Sequence, residues 1–161
     1  MRDRIWHNLQ NSKFKSEYLN RVSRASNFWG NMYSFFLAFA SASSVAAWTI
    51  WNSVPAVWGG IVAFSQLLHI AKPYFPFFRS DREFWEMSHL YETLYLSYEK
   101  LWFAYERGQI NENEAEKRFY KLRDNELAIN KRFKHVYCPT FDRLIKKSSE
   151  EVALQLNQTF R

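Results

Sequence analysis

Between Arg24 and Lys72 the sequence has no aspartate, glutamate, lysine or arginine, although 24% of the chain is charged. A surface helix with an ordinary charged face is therefore not expected there. Glycine is scarce, four in 161 residues, and none belongs to a phosphate-cradling loop. The single cysteine, Cys138, excludes an intramolecular disulfide and suits a reducing compartment. No activating group stands near it in sequence. The four histidines (His7, His69, His89 and His135) are too scattered to suggest a metal site. No serine or cysteine nucleophile sits in a recognisable elbow. Catalysis, a metal and a cofactor are thus not expected. No strand pattern is present, nor a cleavable signal peptide, since the first apolar run starts too late.

The uncharged stretch itself points to a bilayer. A hydrocarbon core of about 30 Å takes about 20 apolar residues in a helix, and this run is roughly twice that. Its one break is Asn52-Ser53-Val54-Pro55, where proline cannot continue a helix. The expectation is an all-α integral membrane protein with a two-helix transmembrane hairpin, roughly Phe28 to Trp51 and Pro55 to Ala71. A buried hairpin in a soluble domain is the alternative. Aromatic residues form 19% of the chain. Trp29, Trp48, Trp51, Trp58 and Tyr74 fall near the proposed membrane ends, as interfacial rings do. The mean hydropathy of -0.44 averages two unlike parts. Cations flank the run on both sides, from Arg2 to Arg24 and from Lys72 to Arg82, and the turn has none. The positive-inside rule then places both termini in the cytoplasm of a multi-pass protein. The chain divides into an N-terminal amphipathic helix (1–24), the hairpin (25–79) and a cytoplasmic helical domain (80–161).

In the N-terminal helix Ile5, Leu9, Tyr18 and Val22 share a face, suited either to a bilayer surface or to bundling with other copies. In the first span Asn27, Asn31, Ser34, Ala38, Ser41 and Ser44 recur at steps of three and four, one stripe of a helix. Two readings fit the stripe: close packing between helices, or the wall of a water-filled pore, which the asparagines favour. Two spans cannot enclose a channel, so a homo-oligomer, a homotetramer, is expected. Gly59 and Gly60 suit tight packing on the first span.

Past Ser80 the pattern is helical. Phe84, Met87, Tyr91, Leu94, Tyr98, Leu101 and Tyr105 repeat at heptad spacing. A second helix starts near Asn111 or Asn113, with Glu114 or Glu116 at the capping-box position, and carries Ala115, Phe119, Leu122, Ile129, Phe133 and Val136 on one side, with Glu126 interrupting. The short loop between them predicts antiparallel packing. A last helix covers about Phe141 to Leu156. The net charge is +6. Arg118, Lys121, Arg123, Lys131, Arg132 and Lys134 cluster in the C-terminal third, either a solvated face that favours anionic headgroups or a site for a phosphorylated ligand. Phe119, Tyr120 and Phe133 are interleaved with them, as rings that stack on bases would be.

The layout resembles the SLATT family of bacteria, the SMODS- and SLOG-associating two-transmembrane effectors. The resemblance is carried by the N-terminal helix with Trp6 and Arg21, the entry at Asn27 and Asn31, the turn from Trp48 to Pro55, and the helical tail. It implies a pore-forming effector in the bacterial inner membrane, acting in anti-phage defence. Its gate would answer a nucleotide or oligonucleotide signal from a partner nucleotidyltransferase, with depolarisation or growth arrest as the outcome. A passive anchored scaffold that recruits a cytosolic partner is the other functional reading.

Overall fold

The computed structural model describes residues 1–46, 55–71 and 80–160. They form helices α1 (Arg2–Ala46), α2 (Pro55–Ala71), α3 (Asp81–Glu106), α4 (Glu112–Arg132) and α5 (Asp142–Thr159), with no strand among the described residues. The all-α expectation holds.

The 45-residue α1, roughly 68 Å long at 1.5 Å per residue, passes through residue 24 without a break. Its first half is the spine of a four-helix base. Ile5, Leu9, Ser12, Ser16, Leu19, Ser23 and Ser26 are all buried and alternate in steps of four and three, a heptad seam. The partner along that seam is α3, running antiparallel. Arg2 meets Glu106, Trp6 meets Trp102 with ring centroids 5.0 Å apart, Lys13 meets Glu92, and Ser23 meets Asp81. The serines make the approach close. The Ser88 hydroxyl donates to the Ser16 carbonyl oxygen at 3.0 Å, and the Ser23 hydroxyl to that of Asp81 at 3.0 Å. A side chain this short reaches a neighbouring backbone only when the two helices nearly touch. The bulk comes from α3, whose Phe84, Tyr91, Leu94, Tyr95, Tyr98 and Leu101 are buried.

The α3–α4 loop reverses the chain at Gly108, where φ is +66°. The Gly108 and Gln109 N–H groups donate to the carbonyls of Tyr105 and Ala104, a Schellman close that glycine suits. The Asn111 side chain then caps α4 by accepting from the Glu114 N–H at 2.8 Å. Ser80 stands at the N-cap of α3 without a side-chain capping bond. α4 lies antiparallel to α3, with Phe119 beside Tyr98 and Asn130 accepting from the Tyr91 hydroxyl at 2.6 Å. α5 packs on the other side of α1. There the Tyr18 hydroxyl donates to the Pro139 carbonyl at 2.6 Å and accepts from the Phe141 N–H at 3.1 Å. Phe160 closes the end, edge-on to Trp6 and stacked on Phe103. The N-terminal helix thus bundles within its own chain.

The second half of α1 projects beyond the base, and α2 lies alongside it, joined in part by a Phe36–Phe64 edge contact at 6.3 Å. The two expected membrane spans are corrected here. Among the described residues no helix is long and apolar enough to cross a membrane. The 17 residues of α2 rise about 25 Å, short of a hydrocarbon core of about 30 Å. In α1 the uncharged half is diluted by Trp29, Gly30, Asn31, Tyr33 and Ser34, and its other half is charged. Lack of charge is a weaker criterion than apolar length. The described helices therefore do not support a transmembrane hairpin, nor a multi-pass place in an inner membrane. The turn from Trp48 to Val54 and the exit from Lys72 to Arg79 lie outside the described residues.

Two stability predictions follow from the seam. Ser16→Leu inserts bulk where two backbones nearly touch and is expected to destabilise the base by about 1–3 kcal/mol, measured by urea unfolding. Tyr98 supplies the second. Its hydroxyl is buried without a hydrogen-bond partner among the described residues. Burial, and secondly the Glu126 carboxylate, push its phenol up to about 12 from 10.0, against a smaller lowering by Arg123. Folding favours the neutral phenol, so this stabilisation is full below pH 10 and is lost as pH rises through 12. The urea midpoint should fall across that window, and less so in Tyr98→Phe, which should be near neutral at pH 7.

Candidate functional site

Two surfaces stand out, the bare projection and the basic flank of the base. On the projection Asn27, Asn31, Ser34 and Ala38 are exposed and face no described helix. The Ser34 hydroxyl donates back to the Gly30 carbonyl at 3.0 Å. The side chains of Ser41 and Ser44 lie outside the described residues. Beside this stripe runs a second one, Phe28, Met32, Phe35 and Phe39, also exposed, with Phe35 at 68%. α2 adds Phe64, Leu67 and Ile70. The expected role of Gly59 and Gly60 is corrected: a Cβ at either would meet nothing within 4 Å.

The six cations expected to form one cluster on the base separate into three groups. Arg118 and Lys121 share a shallow groove with Lys100 of α3, and Arg118 is tied to Glu114 at 2.8 Å. Lys131, Arg132 and Lys134 lie at the far end of α4, where Arg132 is bound to Glu86 and nearby His135 lies 3.3 Å from Glu83. Arg123 turns toward α1 and lines a groove of about 450 Å³ with Arg4, His7, Asn8, Asn11, Phe119 and Tyr120. Phe119 and Tyr120 are thus beside a cation as expected, but Phe133 is not in this groove.

Glu126 explains the break in the α4 stripe. It is only 5% exposed. It accepts from Lys15 at 2.7 Å and from Arg123 at 2.5 Å, pinning α4 to α1. The Arg123 guanidinium also donates to the Asn8 side-chain oxygen at 3.1 Å. Arg4 makes no ion pair among the described residues. Its guanidinium lies 5.0 Å from the Phe119 ring centre and 5.6 Å from that of Tyr120, with a long 3.4 Å bond to the Tyr120 hydroxyl.

The α1 side of this groove was not foreseen, although Arg4, His7, Asn8 and Asn11 recur at helical steps of three, one and three, which is one face. Among the described residues no group of three His, Cys, Asp or Glu side chains is placed to hold a metal. Cys138 is exposed at the surface, and partial desolvation by its neighbours shifts its thiol upward rather than toward the thiolate.

No protein-family model, curated protein or solved structure matches the chain. The SLATT resemblance accordingly stays a likeness of layout.

Replacing the buried carboxylate tests the junction of α1 and α4. Glu126→Gln leaves Lys15 and Arg123 without their shared anion. Both cations are partly exposed, so the loss should be about 1–3 kcal/mol rather than the larger penalty of a fully buried orphan. Urea unfolding of the full chain reads it directly.

Proposed function

We propose that this protein is a non-catalytic helical adaptor that works as a homo-oligomer, with projections docked on one another and the four-helix base turned outward. The observation that carries this is the bare apolar surface of the projection. Five rings, Phe28, Trp29, Phe35, Phe39 and Phe64, are each more than half exposed. At about 200 Å² per ring they offer roughly 600 Å². Met32, Leu67 and Ile70, also exposed, bring the patch near the ~800 Å² per partner of a standard interface. Patches of this size mark interaction sites.

A second copy of this chain is the occupant that the patch fits best. Residues 25–71 offer no charge for a charged partner to complement, whereas an apolar stripe is complementary to itself. An isologous pair about a two-fold axis buries the same patch on both chains. The homotetramer expected from the sequence was tied to enclosing a channel, and the patch area supports a dimer. A conducting pore is not carried forward, because it requires spans that the described helices do not supply.

Sedimentation of the full chain at micromolar concentration tests this. The wild type should be at least a dimer. Phe35→Asp with Phe39→Asp should shift it to monomer, while leaving helical content unchanged, as both rings lie outside the core. A monomeric wild type, or a variant that stays assembled, overturns the reading. So does a monomeric chain that instead partitions onto phosphatidylcholine vesicles.

A further inference from the structure

The groove between the start of α1 and the middle of α4 has a chemistry that assembly does not use. Arg4 and His7 come from α1 and Arg123 from α4, and no carboxylate lines the space they share. On this flank arginines are paired: Arg118 has Glu114, Arg132 has Glu86, Arg21 has Glu151, and Arg123 itself has Glu126. Arg4 has no such partner among the described residues. The Tyr120 hydroxyl, and secondly the Glu116 carboxylate, favour its charged form. Arg4 thus brings a guanidinium without an ion-pair partner among the described residues to a groove that Arg123 also lines. The fork of an arginine matches phosphate oxygens.

The α4 wall of the groove also carries two rings. Phe119 is buried and Tyr120 half exposed, and their rings meet edge to face at 5.8 Å. Arg4 lies over both. Asn8 and Asn11 add amide groups able to accept and donate. Asn8 is already fixed, donating to the Arg4 carbonyl at 2.8 Å while accepting from Arg123. A space of about 450 Å³ falls within the range of small-ligand sites.

We infer that the Arg4–His7–Arg123 groove binds a phosphate ester of a planar aromatic group, of the nucleoside phosphate type. The phosphates lie against Arg4, His7 and Arg123, and the planar group lies against Tyr120. This assigns the phosphate-binding role to Arg123 alone among the six cations singled out from sequence. Lys131, Arg132 and Lys134 take no part. The inference concerns the base and is independent of the assembly reading.

The test is isothermal titration of the full chain with ATP, and separately with inorganic pyrophosphate and with adenosine. Arg4→Gln is the main variant because the Arg4 side chain is exposed and lies over Phe119 and Tyr120 without an ion pair among the described residues, and Tyr120→Ala is the second. Arg123 is left in place because it also holds Glu126. ATP should bind the wild type, more weakly at higher salt. R4Q should weaken it by about tenfold or more. Tyr120→Ala should weaken ATP severalfold and leave pyrophosphate unchanged. Lys131→Gln should behave as wild type. The site is overturned if ATP gives no saturable heat, if R4Q binds like wild type, or if Lys131→Gln loses as much as R4Q. The aromatic class of ligand is overturned if pyrophosphate binds as tightly as ATP and Tyr120→Ala changes neither. Adenosine binding as tightly as ATP would overturn the anionic half.

Discussion

The closeness of α1 and α3 sets the rest of the molecule. Hydroxyls of Ser23 and Ser88 reach backbone carbonyls of the opposite helix. Such bonds satisfy a buried serine without asking the core for another polar group. They also hold the helix axes so near that a large side chain at Ser16 or Ser23 would have no room. The division of labour follows: α1 supplies serines interspersed with Ile5, Leu9 and Leu19 along the seam, and α3 supplies rings. The other face of those rings, Tyr91 and Tyr98, receives α4. The back of α1, at Tyr18, receives the segment that leads into α5. Each later helix is placed by a surface that the first pair creates.

Charge completes the register rather than driving the fold. Lys13 meets Glu92 and Arg21 meets Glu151, so each long-range pair links α1 to a different helix. Partly exposed pairs like these contribute little net stability, often under about 1 kcal/mol. Their value lies in penalising a shifted register, which would leave like charges facing each other. Glu126 differs because it is buried, and there the geometry must satisfy both carboxylate oxygens. The same economy makes Arg4 conspicuous. Arg4 and Arg107 both lie over rings without an ion pair among the described residues, and of the two only Arg4 lines the groove with Arg123.

Much of the base was legible in the sequence. The heptad of α3, the Asn111 cap and the apolar stripe of α4 all rest on local rules of periodicity and capping. Ile5, Leu9, Tyr18 and Val22 lie in the core for the same reason. Ser12, Ser16, Ser23 and Ser26 did not signal their burial, because a serine is polar by composition and small by geometry. Only the neighbouring helix decides which property counts. The small-residue stripe from Asn27 to Ser44 reads alike in sequence, yet it begins one step past the serine stripe that packs. The cation cluster failed differently: residues close in sequence on α4 point around its circumference, while Arg4 and Arg123 meet across 119 positions of chain. The hairpin was misjudged as spanning because absence of charge was weighed above apolar length.

α1 belongs to both halves of the molecule, which constrains how they can influence each other. Arg4, His7, Asn8 and Asn11 stand near its start, and the bare rings begin at Phe28 on the same uninterrupted helix. The 17 positions from Asn11 to Phe28 amount to roughly 25 Å of helix, with the serine seam in between. Such a rod transmits rotation or translation as a unit, and the seam permits either only if α3 moves with it. A ligand in the groove can alter assembly only to the extent that it binds the assembled and free states unequally. With Arg123 tied to buried Glu126, the route from groove to projection runs through the same close helix pair that specifies the fold. Coupling and stability therefore draw on one set of contacts, and loosening the seam would weaken both together.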